Sequence, residues 1–277
     1  MTKTLKRSDN KESILKRENN VRPPLKWAGG KRWLVSNLLP IWEKYSDCRL
    51  IEPFCGGLAI ALSFMPRRAL LNDVNEHLIN FYHWIKKGFR TSLNMQNNEE
   101  VFYTLRERFN KLIEKNKFDT KEAAALFYYL NRSGYNGLCR FNNNGMFNVP
   151  FGDYKIINYI KDFRDYKNKF LNWVFTSDDF EKISIKDDDF IYADPPYDVE
   201  FTKYSKENFT WDDQKRLAKW LSKKSCGVIV SNQATERIIE LYKSFGFKLS
   251  FIDAPRLINS TGDRTKAKEI LATKNLS

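Results

Sequence analysis

Asp194-Pro195-Pro196-Tyr197 directly follows the apolar run Asp189-Phe190-Ile191-Tyr192-Ala193. That order sets a carboxylate, two rigid prolyl peptides and an aromatic ring at the carboxyl end of an expected strand, where ligands bind in open α/β sheets. The prolines fix φ and remove backbone donors, so nearby carbonyls are left as acceptors and Asp194 adds another. Two acceptors can take both hydrogens of an exocyclic NH2 and draw its nitrogen toward a tetrahedral geometry. Tyr197 offers a face on which a planar base can stack.

A tetrapeptide at a strand end needs a sheet around it, and the flanking sequence supplies one. Arg49-Leu50-Ile51 leads into Glu52-Pro53-Phe54-Cys55-Gly56-Gly57 and a helix from about Leu58, and Ala69-Leu70-Leu71 ends at Asn72-Asp73 before another helix. Upstream, the Gly29-Gly30 loop precedes a helix with Trp33, Leu34, Leu38 and Ile41 on its inner side. Further strands are expected at Trp173-Val174-Phe175, Gly227-Val228-Ile229-Val230, Phe247 to Phe251 and Ile270-Leu271-Ala272. This alternation is that of a doubly wound α/β sheet.

Between about Asn75 and Asn168 the pattern turns mostly helical. Val101, Leu105, Phe109 and Leu112 mark one stripe, and Thr120 can cap the segment after it. Asn144-Gly145 then reads as the turn of a β-hairpin between Leu138 to Phe141 and Met146 to Val149. The expected division is a flexible basic arm over residues 1 to 21, an α/β body over 22 to 74 and 169 to 277, and an insert over 75 to 168.

The 277 residues carry 47 Lys and Arg against 34 Asp and Glu, a formal charge of +13 that calls for a polyanionic partner. Nucleic acid is the first candidate, because basic residues alternate with aromatics and asparagines in the middle region. No stretch approaches the roughly 18 apolar residues of a membrane span, and the N-terminal segment lacks the apolar centre of a secretory signal, so a cytoplasmic address is expected. Cys48, Cys55, Cys139 and Cys226 have no paired spacing, and His77 and His83 do not share a helix face. Neither a disulfide framework nor a metal site is expected.

In such a sheet a glycine turn after the first strand lets a ligand approach the backbone, and an acid ending the second accepts from ribose hydroxyls. Gly56-Gly57 and Asp73 fit those places. Phe54-Cys55-Gly56-Gly57-Leu58 lacks the GxGxxG spacing that holds a dinucleotide pyrophosphate, so the ligand is expected to be a nucleoside without phosphates. S-adenosylmethionine meets that description. Its ribose would lie at Asp73, its adenine near Asp179-Phe180, and its methionine end near Lys31 and the Gly29-Gly30 loop.

LKWAGGK at 25 to 31, EPFCGG at 52 to 57, ND at 72 to 73, NRSGYNGLCRFNNNGMFNVPFG at 131 to 152 and DPPY at 194 to 197 occur in that order. Together they resemble the Dam-type (D12 class) DNA adenine-N6 methyltransferases over roughly residues 22 to 273, with the hairpin motif the most specific part. The resemblance implies a Rossmann-like methyltransferase sheet whose α/β body binds S-adenosylmethionine and whose insert recognises the DNA target. It implies methyl transfer to N6 of adenine in double-stranded DNA, within GATC, by base flipping and direct in-line displacement. Asp194, Pro195, Pro196 and Tyr197 would be the catalytic residues. Cofactor contacts are implied for Trp27, Lys31, Asp73 and Asp194, with support from Ala28, Gly29, Gly30, Phe54, Cys55 and Gly56.

DNA contact is likewise carried onto Tyr135, Asn136, Leu138 and Arg140, and onto Lys26, Pro150 and Tyr154. Arg140 can grip guanine O6 and N7, Leu138 and Pro150 can meet a thymine methyl, and Lys26 can reach another guanine or a phosphate. Tyr135 and Asn136 could enter the base stack or occupy the space an extruded adenine leaves. Two residues depart from the family's usual pattern: acidic Asp153 stands where a basic residue is frequent, and Leu58 replaces a small one. The segment from Asp198 to Thr210 looks shorter than in many members, and Arg264, Lys266 and Lys268 could steer phosphates. A monomer acting on DNA is expected. The rivals are an amino-methyltransferase acting on RNA or a protein glutamine, and a DNA-binding protein without catalysis.

Overall fold

The computed structural model describes residues 21–198, 209–254 and 267–276. Residues 1–20 of the expected arm, most of the segment from 198 to 210, and Arg264 and Lys266 lie outside the described residues. The helices are α1 (Val35–Trp42), α2 (Ala61–Phe64), α3 (Glu76–Lys86), α4 (Glu99–Glu114), α5 (Lys121–Ser133), α6 (Arg164–Lys169), α7 (Trp211–Ser222) and α8 (Glu236–Ser244). The strands are β1 (Arg49–Glu52), β2 (Ala69–Asn72), β3 (Trp173–Thr176), β4 (Asp189–Ala193), β5 (Gly227–Gln233), β6 (Lys248–Ala254) and β7 (Ala267–Lys274). Two compact units divide the chain: Met1–Arg32, Gly56–Met65 and Asn80–Leu171 form one, and Trp33–Cys55, Pro66–Ile79 and Asn172–Ser277 the other.

The second unit holds a seven-stranded sheet in the order β3-β2-β1-β4-β5-β7-β6. Neighbours from β3 across to β5 are parallel, while β7 runs antiparallel to both β5 and β6. Every residue of β2 and β4 is buried, as their continuous apolar runs require of interior parallel strands. Register pairs Leu50 with Phe190 and Ile51 with Ile191, and successive side chains point to opposite faces. On one face Phe190 meets the rings of Trp42 and Tyr45 at 5.5 and 5.0 Å. On the other, Ile191 joins Leu217 and Leu221 of α7 and Ile238 and Tyr242 of α8 in one core. Burying each such aliphatic side chain contributes ~1.5 to 3 kcal/mol. Helices on both faces make the sheet doubly wound, and the strand order reverses between β1 and β4. The carboxyl ends of those two strands flank the topological switch point, and Asp194 is the first residue past β4.

The first unit is mostly helical with an aromatic core. Phe81 stacks on Tyr128 at 5.2 Å and Phe89 on Phe163 at 5.6 Å, while Phe102, Phe109 and Phe147 are buried beside them. Such ring pairs add ~0.5 to 1.5 kcal/mol beyond their burial. Asn98 caps α4 by accepting the Val101 amide at 2.9 Å, and Thr120 caps α5 by accepting the Ala123 amide at 3.2 Å.

Two local expectations are corrected. The helix expected from about Leu58 begins only at Ala61, because Gly56 and Leu58 adopt left-handed φ of 43° and 61°, incompatible with a right-handed helix. The hairpin turns at Asn142 to Gly145, but its arms make isolated bridges, Phe141 to Phe147 and Gly134 to Phe151, instead of continuous strands. Side chains replace part of the ladder there. Asn142 Oδ1 accepts the Asn144 and Met146 amides, and Asn110 accepts the amide of Phe147 and donates to its carbonyl.

Candidate active site

The tetrapeptide is held from three sides within the sheet unit. Ser231, near the end of β5, donates from Oγ to Asp194 Oδ1 at 2.9 Å. Tyr192 Oη lies 2.9 Å from the same Oγ. Because the Ser231 proton is committed to the carboxylate, Tyr192 is the donor of that pair, and the two hydroxyls form a relay ending on Asp194. Burial and the charge of Asp194 push the Tyr192 hydroxyl well above its ordinary pKa, which keeps its proton in place. Gln214 of α7 donates from Nε2 to the Pro196 carbonyl at 2.8 Å. Tyr197 donates from Oη to Glu269 of β7, a residue 6% exposed, and burial followed by this bond raises the tyrosine's pKa as well.

Asn72, itself buried, ties the neighbouring strand ends together. Its Nδ2 donates to the carbonyls of Pro53 and Asp178 at 3.0 and 2.9 Å, and its Oδ1 accepts from Thr176 and the Asp178 amide. Those bonds fix the turns after β1 and β3 that carry Phe54, Cys55, Asp179 and Phe180. Asp73 follows at the end of β2, its Oδ1 accepting the Asn75 amide at 3.0 Å. Phe54 and Phe180 lie 5.8 Å apart in a cluster with Phe209 and Trp220. The Asp179 carboxylate is engaged by Arg216 at 2.5 Å and by the Glu181 amide at 2.9 Å. Burial alone would raise its pKa, but these two bonds together with the charges of Arg216 and Lys182 outweigh it and hold the group below the usual range. Burial, then the charges of Asp73 and Glu52, push the Cys55 thiol well up, which disfavours the thiolate.

The remaining residues assigned to the cofactor belong to the helical unit. There the double glycine has a packing cause: a Cβ on Gly56 would come within 2.6 Å of Trp27 Nε1, and one on Gly57 within 2.7 Å of Trp27 Cβ. Tyr82 donates to the Gly56 carbonyl at 2.6 Å and fixes that turn. Ala28, Gly29 and Gly30 are exposed, whereas Lys31 is 4% exposed with Nζ 3.2 Å from the Gly29 carbonyl.

The same unit gathers most of the residues assigned to DNA. Asn131 clamps Lys26, accepting its amide at 2.9 Å and donating to its carbonyl at 2.7 Å. The Lys26 ammonium lies 3.2 Å from the centre of the Tyr154 ring and bonds the Arg132 carbonyl at 3.1 Å. Burial, then the nearby Arg132 charge, bring its pKa down to about 8. Tyr154 donates to the Gly134 carbonyl at 3.0 Å, and the Tyr135 amide donates to the Pro150 carbonyl at 2.9 Å. Tyr135 is 49% exposed, and Asn136, Arg140 and Pro150 are exposed with it, while Leu138 is half-buried. Arg140 crosses the hairpin to Asn148, with Nε 2.8 Å from Oδ1 and Nη2 3.2 Å from the carbonyl oxygen.

Sequence reasoning did not single out Ser231, Gln214, Asn232 or Glu269. One signal was available: Ser231-Asn232-Gln233 is a polar run closing a buried strand next to the switch point, where polar groups face ligands.

The doubly wound sheet, with Asp194 just beyond β4 at its switch point, is that of an α/β protein whose ligands bind at that edge. The profile of the D12 class N6 adenine-specific DNA methyltransferases matches residues 27–254. The chain is 37% identical over 264 residues to the retron Ec67 DNA adenine methylase of Escherichia coli, covering 90% of each. It is 36% identical to the DNA adenine methylase of Escherichia coli K12, over 90% of this chain and 93% of that protein, and 35% identical to that of Vibrio cholerae, over 90% and 94%. The chain belongs to the D12 class of N6 adenine-specific DNA methyltransferases. Its substrate is DNA, and the group it methylates is the adenine N6 amine.

Proposed function

We propose that this enzyme takes its methyl group from S-adenosylmethionine and modifies the adenine of GATC in double-stranded DNA, as a cytoplasmic monomer. The donor chemistry fits the cofactor: Asp73 offers a carboxylate for ribose hydroxyls at the end of β2, and Phe180 an aromatic surface after β3. Asp179 enters this reading through its backbone and turn, since Arg216 holds its carboxylate. Trp27 and Lys31 carry the rest of the assignment. When bound, S-adenosylmethionine supplies an electrophilic methyl group.

The chain's own part is alignment. Asp194 and the Pro195 carbonyl accept the two hydrogens of the flipped adenine's amine, which aims its lone pair, and Tyr197 stacks on the ring. Charge developing on the nitrogen is stabilised by the Asp194 carboxylate, so no covalent enzyme intermediate is needed. Arg140, Lys26 and the exposed Tyr135 and Asn136 read and open the target. The observation that carries the reading is the Ser231 hydrogen bond that fixes Asp194 beside the switch point. Incubating the enzyme with radiolabelled S-adenosylmethionine and duplexes with or without GATC tests it. Label is expected in N6-methyladenine of the GATC duplex alone; equal labelling of both duplexes would remove the sequence assignment, and no labelling would remove the donor.

A further inference from the structure

Gln214 and Asn232 are both 0% exposed. A buried side-chain amide costs stability unless it is bonded, and α7 could have placed an apolar residue at Gln214, as it does at Leu217 and Leu221. The two amides instead form a chain with one direction. The backbone N–H of Gln233 donates to Asn232 Oδ1 at 2.8 Å, so Nδ2 is the end of Asn232 that meets Gln214 Oε1, at 3.1 Å. Gln214 therefore turns Nε2 to the Pro196 carbonyl, at 2.8 Å. A backbone N–H cannot be flipped, so it sets both amides.

Helix geometry fixes where this donor stands. Thr210 caps α7, accepting the Asp213 amide, while the Asp213 carboxylate accepts the Thr210 amide, a reciprocal capping box. Gln214 lies one turn further on, with its amide bonded to the Thr210 carbonyl at 3.0 Å.

We propose that Gln214, oriented by Asn232, is a positioning residue for methyl transfer. It claims the Pro196 carbonyl and fixes the plane of the peptide between Pro196 and Tyr197. The acceptor pair presented to the amine is then Asp194 with the Pro195 carbonyl, and the Tyr197 ring is set at the angle that stacks the base. This inference rests on the reading of the tetrapeptide given above.

The test uses the full-length protein, S-adenosylmethionine and a GATC duplex. Gln214→Met keeps length and volume but cannot donate. Asn232→Leu never touches Pro196, yet it removes the donor to Gln214 Oε1, so nothing fixes which end of the Gln214 amide faces the Pro196 carbonyl. Both variants are expected to lose ~100-fold in single-turnover methylation, the scale of a misplaced reacting group. Dissociation constants for cofactor and DNA should stay within about twofold of wild type, and the double variant should be no slower than either single one, because both act through one bond.

A merely structural role would lower binding and melting temperature in step with the rate. Wild-type rates in both variants, or rate losses that multiply in the double variant, would overturn the inference while leaving the tetrapeptide reading intact. Wild-type enzyme that fails to label the GATC duplex would overturn the reading and this inference with it. Should one variant not fold, the other reports on the same bond.

Discussion

Ser231 Oγ donates to Asp194 Oδ1 at 2.9 Å while Tyr192 Oη stands 2.9 Å behind it, so the acid past β4 is held by one hydroxyl that a second, on the adjacent strand, supports. Removing the nearer one frees the carboxylate to rotate away from the amine. Ser231→Ala is expected to slow single-turnover methylation by ~10- to 100-fold, with a loss of stability near 1 kcal/mol. Tyr192→Phe, one bond further out, should slow it less. Rates equal to wild type in both variants would show that Asp194 needs no such anchor.

Tyr197 joins two roles that substitution can separate. Tyr197→Phe keeps the ring but removes the hydroxyl donor from buried Glu269, and is expected to lower stability by ~1 to 3 kcal/mol in thermal or denaturant unfolding while retaining most activity. Tyr197→Ala removes the stacking face and should abolish most of the activity. A phenylalanine variant as stable as wild type would mean that Glu269 gains nothing from the hydroxyl.

Lys26 gives the enzyme a pH signature. Its ammonium is brought from 10.5 to about 8 by burial, then by Arg132. Below about pH 8 it is charged and can hold DNA; above, it is neutral, so duplex affinity should fall between about pH 7 and 9. Lys26→Arg keeps its charge throughout and should flatten that fall. The effect on folding has the opposite sign. The folded state sheds this proton before the unfolded chain does, so the cost of the half-buried charge is relieved, and stability rises, between about pH 8 and 10.5. Fluorescence anisotropy with a labelled GATC duplex across this range measures the first effect, and parallel melting curves the second.

Asp153 is exposed and takes a left-handed φ of 44°, a conformation asparagine also tolerates. Asp153→Asn therefore keeps the turn and removes a negative charge one residue from Tyr154. Tighter duplex binding is expected at low salt, with the gain shrinking as salt rises. Unchanged affinity at both salt concentrations would place Asp153 away from the phosphates.

How much of this was legible in the sequence depended on how local each cause was. The inner parallel strands β1, β2 and β4 were legible because each is a short, largely apolar run before turn residues, and Thr120 announced a helix it does cap. Leu58 misled, because nothing in a leucine signals a left-handed φ, and the close approach of Trp27 to Gly56 and Gly57 joins segments some thirty residues apart. Asp194 could be singled out from its neighbours, but its anchor could not: Ser231 is 37 positions away, and Gln214 is 18 positions from Pro196. Arg140 was legible as an exposed hairpin cation, whereas its bond to Asn148 depends on how the two arms face each other.

The role of Asp194 is tested most directly by single-turnover transfer of labelled methyl to a GATC duplex by Asp194→Ala, beside wild type, with folding checked by melting and DNA binding by anisotropy. If Asp194 holds the amine, the variant folds, binds the duplex and transfers no measurable label. A variant that methylates adenine N6 at a near-normal rate would contradict that role.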